Sequence, residues 1–140
     1  TDFPPFRDAA DLPLAMTAHV VYSAIDPHAP ATTSRVVIDE VIRGFIGYDG
    51  CLMSDDVSMQ ALSGDIATRT DASLEAGCDL VLHCNGVLEE MVAVASACRP
   101  LVGRAAERAA RAAAMRRVTV EIDVAAARDE FARLTDGASV

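Results

Sequence analysis

The sequence predicts an α/β fold on a parallel sheet, because three short apolar runs, starting near residues 14, 51 and 79, alternate with segments of helical periodicity. The order reads βαβαβα, followed by two further helices. Strands that alternate with helices pair in parallel, since each crossover returns the chain to the same end of the sheet. The strand starts recur every ~30 to 35 residues, the spacing that about 250 residues shared among eight units of a closed barrel would give. Three units cannot close a barrel. The pattern therefore fits either a small open sheet or the last three βα units of a (β/α)8 TIM barrel.

Leu14 to Tyr22 is a short apolar run that Asp26-Pro27-His28-Ala29-Pro30 breaks, so it reads as a strand followed by a loop. Ser34 can cap a helix in which Val37, Ile38, Val41, Ile42 and Phe45 recur on one face, with Gly47 just past its end. Cys51-Leu52-Met53 is too short for a helix and reads as a second strand ending at Ser54-Asp55-Asp56. A weaker helical pattern runs from Thr68 to Ala76, with Gly77 placed as its C-terminal cap. Asp79 to Cys84 is the third strand. Leu88, Met91, Val92 and Ala95 then restore helical spacing until Pro100, Leu101 to Arg117 forms an Ala- and Arg-rich helix, and Asp123 can cap a last helix reaching Leu134. Arg104, Arg108 and Arg111 fall on one stripe that reads as a solvated face, with Glu107 beside it. The expected division is a single unit over residues 1–140, with 101–136 as appended helices.

In parallel folds the functional groups gather where strands end and loops leave. The three strand ends carry Thr17-Ala18-His19, Ser54-Asp55-Asp56 and His83-Cys84-Asn85. Alternation puts Asp55 on the face of Met53 and Cys51, and Asp56 on that of Ser54 and Leu52, so the two carboxylates should do different jobs. Spacing alone leaves this Asp-Asp pair open to a simpler reading as a turn cap.

Composition narrows the partners. The net charge is −9, and all 12 positive residues are Arg, which disfavours nucleic acid and anionic membrane surfaces. Only 4% of residues are aromatic and none is Trp, so stacking platforms for single strands are missing. No apolar run reaches ~18 residues, and Thr1-Asp2-Phe3-Pro4-Pro5 lacks the start of a signal peptide. Cys51, Cys78, Cys84 and Cys98 form no C-x-x-C pair and read as reduced, mostly buried thiols of a cytoplasmic protein. No His, Cys, Asp or Glu set has metal-ligand spacing, and no phosphate-binding glycine loop is present, so neither a metal nor a cofactor is expected.

Several segments carry a family likeness in order: Leu14-Ala15-Met16-Thr17-Ala18-His19, Ile25-Asp26-Pro27, Pro30-Ala31-Thr32, Gly47-Tyr48-Asp49-Gly50, Met53-Ser54-Asp55-Asp56-Val57-Ser58-Met59 and Ala76-Gly77-Cys78-Asp79-Leu80. Together they resemble the family 3 β-N-acetylglucosaminidases, retaining glycoside hydrolases. The resemblance implies the barrel alternative, a small carbohydrate substrate of the N-acetylglucosaminyl muropeptide type, a place in peptidoglycan recycling, and Asp55 as the nucleophile. It also implies an acid/base His paired with an Asp on a mobile loop, in a Lys-His-Phe-x-Gly-x-Gly segment absent from these 140 residues. Asp26-Pro27-His28 has the Asp-x-His form but occupies the Asp-Pro loop. The expected partner is thus the remainder of the barrel, on the same parent chain or another, and these residues alone should be inactive. His19, Ser58 and Met59 are candidate substrate-binding residues; for His19 the competing reading is a loop-holding histidine. The rival to the enzyme reading is a non-catalytic fragment or split-chain assembly partner.

Overall fold

The computed structural model describes residues 2–116 and 121–135. Three strands, β1 (Leu14–Met16), β2 (Cys51–Asp56) and β3 (Leu80–Leu82), form one parallel sheet in that order. A short helix, α1 (Pro4–Asp8), precedes them and was not expected from the sequence.

β1 is much shorter than the apolar run Leu14 to Tyr22. Its ladder ends where the Thr17 amide donates to the Met53 carbonyl; the carbonyls of Ala18 and Val20 then accept from the Thr32 and Ala31 amides of a 3-10 turn, Ala31–Thr33. The second half of the run thus pairs with returning irregular chain. The crossover continues through a nine-residue π-helix, Val37–Phe45. Ser34 starts it as expected, its hydroxyl accepting from the Val37 amide at 3.1 Å. The wide turns, marked by Ile46 N–H bonding to the Val41 carbonyl, bury Val37 and Ile38 but turn Phe45 outward. There Phe45 meets Phe3 edge-on, with ring centroids 5.7 Å apart.

Gly50 opens β2 because a Cβ there would lie 2.6 Å from the Leu12 carbonyl oxygen. The next crossover helix, α2 (Ile66–Ala76), begins earlier than its apolar pattern indicates, since the Asp65 carboxylate caps it by accepting from the Thr68 amide at 2.8 Å. It ends at Gly77, whose φ of +118° suits only glycine. Ile38, Tyr48, Leu52, Ala76 and Cys78 form the core between sheet and helices. After β3 come α3 (Leu88–Ala97), α4 (Gly103–Ala114) and α5 (Val124–Thr135), the last capped by Asp123 as expected. Residues 117–120 and 136 of the expected helical tract lie outside the described residues.

The arginine stripe of α4 is solvated at Arg104 and Arg111, as expected, but not at Arg108. Arg104, Arg108 and Arg111 all pair with Asp49, and Arg108 also donates to Asp79 at 3.1 Å. The Arg108 side chain is 13% exposed against 74% for Arg104. Arg108 first, and then Arg104, hold the Asp49 carboxyl down at about 2. The stripe therefore fastens α4 across the end of the sheet where β2 begins.

The opposite flank is open. Leu14 and Met16 of β1 are half exposed, and a cavity of about 430 Å³ runs among Leu14, Tyr22, Val41, Ile42 and Leu52. Among the described residues, neither β1 nor β3 has a strand on its outer edge.

The thiols also differ from the sequence reading. Cys51 and Cys78 are buried, with burial pushing Cys78 up to about 12, whereas Cys84 and Cys98 are exposed. A thiol reagent at neutral pH is thus expected to label two cysteines of this segment in the native protein and all four after denaturation, which peptide mass mapping will read. Native labelling of Cys78 would contradict the burial.

Candidate active site

The rim where the strands end is organised around an irregularity in the sheet. Met53 faces Leu80 and Asp56 faces Leu82, so three steps along β2 oppose two along β3 and one residue of β2 is extra. The Leu82 amide, which a regular ladder would give to a backbone carbonyl, donates instead to the Ser54 hydroxyl at 3.0 Å. Ser54 is fully buried and fills the gap that the bulge opens. The ladder resumes when the Val57 amide reaches the Leu82 carbonyl at 3.0 Å.

The two carboxylates beside the bulge are held differently. Asp56 is saturated: it accepts from the Ser58 hydroxyl at 2.7 Å, the Ser58 amide at 3.0 Å and the Cys84 amide at 3.2 Å. Burial pushes its carboxyl up, but these donors outweigh it, so its pKa lies below the usual carboxylate range. Asp55 is half-buried and accepts one bond, from the Asp56 amide to Oδ1 at 2.8 Å. Among the described residues its Oδ2 has no partner. One carboxylate is fastened, and the other is held at one oxygen, leaving the second available for chemistry.

His19 joins the end of the first strand to this rim. Nε2 lies 3.0 Å from the Asp56 carbonyl oxygen, and Nδ1 lies 2.7 Å from the hydroxyl of Thr32, which is 2.8 Å from that of Thr17. The carbonyl can only accept, so Nε2 carries a proton. With the ring neutral, a relay of donors runs from Thr17 through Thr32 into Nδ1. Both ring nitrogens are thus occupied by the protein. Ser58 is spent on Asp56, and Met59 is exposed beside it.

Asp26 binds the Ser34 hydroxyl at 2.6 Å and the backbone amide of His28 at 2.9 Å, which holds its carboxyl low. The Asp26 side chain therefore serves the loop and the helix start.

Two contributors escaped the sequence reading. Arg69 donates to the carbonyls of Val57, Met59 and Gly64 and to Gln60, cradling the loop that follows Asp55-Asp56. Glu90, in the first turn of α3, accepts from His83 at 3.0 Å and from the Asn85 side chain. Glu90 had a visible signal, an acid in a helix's first turn just after a loop bearing His and Asn, but it reads equally as a dipole partner.

Comparison with known proteins gives concordant results. Residues 1–120 match the model of the glycosyl hydrolase family 3 N terminal domain. A protein from Alkalilimnicola ehrlichii named beta-hexosaminidase is 52% identical over 88 residues, covering 60% of this chain and 25% of that protein. A beta-hexosaminidase from Pseudomonas aeruginosa is 42% identical over 99 residues, covering 69% of this chain and 30% of that protein. Among solved structures, a family 3 β-N-acetylglucosaminidase from a Paenibacillus species superposes with a TM-score of 0.71 at 29% identity, covering 86% of this chain and 26% of that one. The β-N-acetylglucosaminidase of Thermotoga maritima gives 0.58 at 30% identity, covering 74% and 25%. The chain thus spans 25% to 30% of the length of these curated relatives.

Proposed function

From the premise that this chain belongs to glycosyl hydrolase family 3, we propose that it supplies the nucleophile part of a retaining β-N-acetylhexosaminidase, with Asp55 as the attacking group. The observation that carries this reading is the asymmetry of the rim: Asp56 is tied down by three donors, while Asp55, on the same rigid strand end, keeps Oδ2 unpartnered among the described residues. Names borne by relatives support the substrate class, a terminal β-linked N-acetylhexosamine. A peptidoglycan fragment and a cytoplasmic setting are the narrower form of the proposal. Among the described residues, no helix is long and apolar enough to cross a membrane.

In this reading a carboxylate oxygen of Asp55 bonds to the anomeric carbon as the bond to the leaving oxygen breaks, and an acid delivers a proton to that oxygen. Water then cleaves the resulting ester, giving its proton to the same group acting as base. Asp26 and His28 do not form the acid/base pair here, because the Asp26 carboxylate is engaged by Ser34 and by backbone. The acid/base belongs to the rest of a (β/α)8 barrel, for which residues 1–140 would supply the last three units with 101–136 as appended helices. The open flank of β1, with its apolar cavity, suits such a neighbour. His19, Ser58 and Met59 then border the sugar site; with its nitrogens taken, His19 would shape the wall rather than bond the sugar. Residues serving only as a non-catalytic assembly partner would have no need of a free carboxylate oxygen at the rim.

The test is chemical trapping in the complete hydrolase. A 2-deoxy-2-fluoro sugar with a good leaving group is expected to leave a covalent adduct on the peptide containing Met53-Ser54-Asp55. An adduct on Asp56, or on a peptide elsewhere, would refute the assignment.

A further inference from the structure

The nucleophile's geometry traces back, bond by bond, to a residue outside the motif. The Asp55 carboxylate is oriented by the Asp56 amide, and Asp56 is braced in turn by the Cys84 amide of the loop between β3 and α3. That loop has few anchors of its own. Cys84 and Asn85 are exposed, and Gly86 takes a φ of +74°, so its backbone is free to adopt other shapes. What holds it is one carboxylate: Glu90 Oε2 accepts from His83 Nε2 on one side of Cys84 and from the Asn85 side chain on the other. Asn85 Oδ1 in turn accepts from the Val87 amide at 2.9 Å, closing the loop onto the first turn of α3. A carboxylate only accepts, so His83 presents its Nε2 proton to Glu90. The His83 side chain is 7% exposed, which fixes its ring and makes it a firm lever.

We infer that Glu90, through His83 and Asn85, is a positioning residue for the nucleophile: it sets the rim loop so that the Cys84 amide braces Asp56 and Asp56 aims Asp55. The inference rests on the reading of Asp55 as nucleophile. A ligand role for Glu90 is not required, because its effect travels through hydrogen bonds already made. The pair also responds electrostatically: the bonds from His83 and Asn85 hold the Glu90 carboxyl below its usual range, keeping it an acceptor at neutral pH.

The experiment uses the complete hydrolase and an aryl β-N-acetylglucosaminide, with the fluorinated sugar as a probe of the first step. Glu90→Ala should lower both kcat and the rate of adduct formation on Asp55 about tenfold, the scale for losing bonds that position the nucleophile without touching it. KM should stay within about twofold and the melting temperature should hardly move, as expected for a partly exposed side chain. Glu90→Gln, whose amide oxygen can still accept, should recover most of the rate. His83→Ala should reproduce the loss, and the double variant should lose no more than either alone, because both act through one loop. A wild-type rate of adduct formation on Asp55 in Glu90→Ala overturns this inference while leaving the nucleophile in place, as do losses that multiply in the double variant. A wild-type adduct away from Asp55 overturns the nucleophile assignment and the inference with it. Should Glu90→Ala lose stability, the Gln variant decides: slow turnover with intact folding and no recovery counts against the hydrogen-bonded lever.

Discussion

Asp55→Asn in the complete hydrolase is expected to cut turnover of an aryl β-N-acetylglucosaminide by roughly 10³- to 10⁵-fold, the range seen when a group that acts on the reacting atom is removed. The substitution is nearly isosteric, and its amide oxygen can still accept from the Asp56 amide, so unfolding should shift little. Steady-state rates beside a melting curve separate the two effects. Asp56→Asn provides the contrast. Both backbone amides donate to the same oxygen, Oδ1, so the amide oxygen can keep them and only the bond from the Ser58 hydroxyl to Oδ2 must be rearranged; the loss should therefore be smaller, about tenfold at most. Near-normal turnover in Asp55→Asn would remove the central claim.

The largest effect on stability is expected at Asp79, a residue far from the rim. Its side chain is 5% exposed and joins three elements: Oδ2 accepts from Arg43 of the π-helix at 2.8 Å and from the Leu52 amide of β2 at 2.9 Å, while Oδ1 accepts from Arg108 of α4. Asp79→Ala leaves a buried amide without its acceptor and strips both guanidinium groups of this carboxylate. A loss of about 3–5 kcal/mol follows from breaking a buried pair on one side. Asp79→Asn retains an acceptor for Leu52 and should cost about half as much. Denaturant titration of the complete protein measures both. If Asp79→Ala unfolds at the wild-type midpoint, the clamp is not part of the stability.

What could be read from residues alone tracks how local the cause is. Ser34, Gly77 and Asp123 act within a few positions and marked their helices. The arginines of α4 find Asp49 across 55 to 62 positions, and no local pattern distinguishes such a partner from water. β1 was overestimated because apolar content is the same whether a segment bonds to a strand or to a returning turn. The Asp-Asp pair was ambiguous for a sound reason: Asp56 does cap a turn, through Ser58, and only the longer motif distinguished Asp55 from it. The lever at Glu90 was hidden because its effect depends on where the loop places the Cys84 amide, which sequence spacing does not encode.

The extra residue in β2 has a meaning for protein engineering. Deleting one residue between Met53 and Asp56 would let β2 and β3 run in even register, and the Leu82 amide could return to a backbone acceptor instead of borrowing the Ser54 hydroxyl. Removing Asp55 would delete the proposed nucleophile, and removing Ser54 would keep both carboxylates but shift the register in which they reach the rim. Stabilising campaigns on this scaffold should therefore leave the irregular register untouched and seek their gains at the opposite end of the sheet, because a one-residue shift at the bulge would displace the proposed nucleophile.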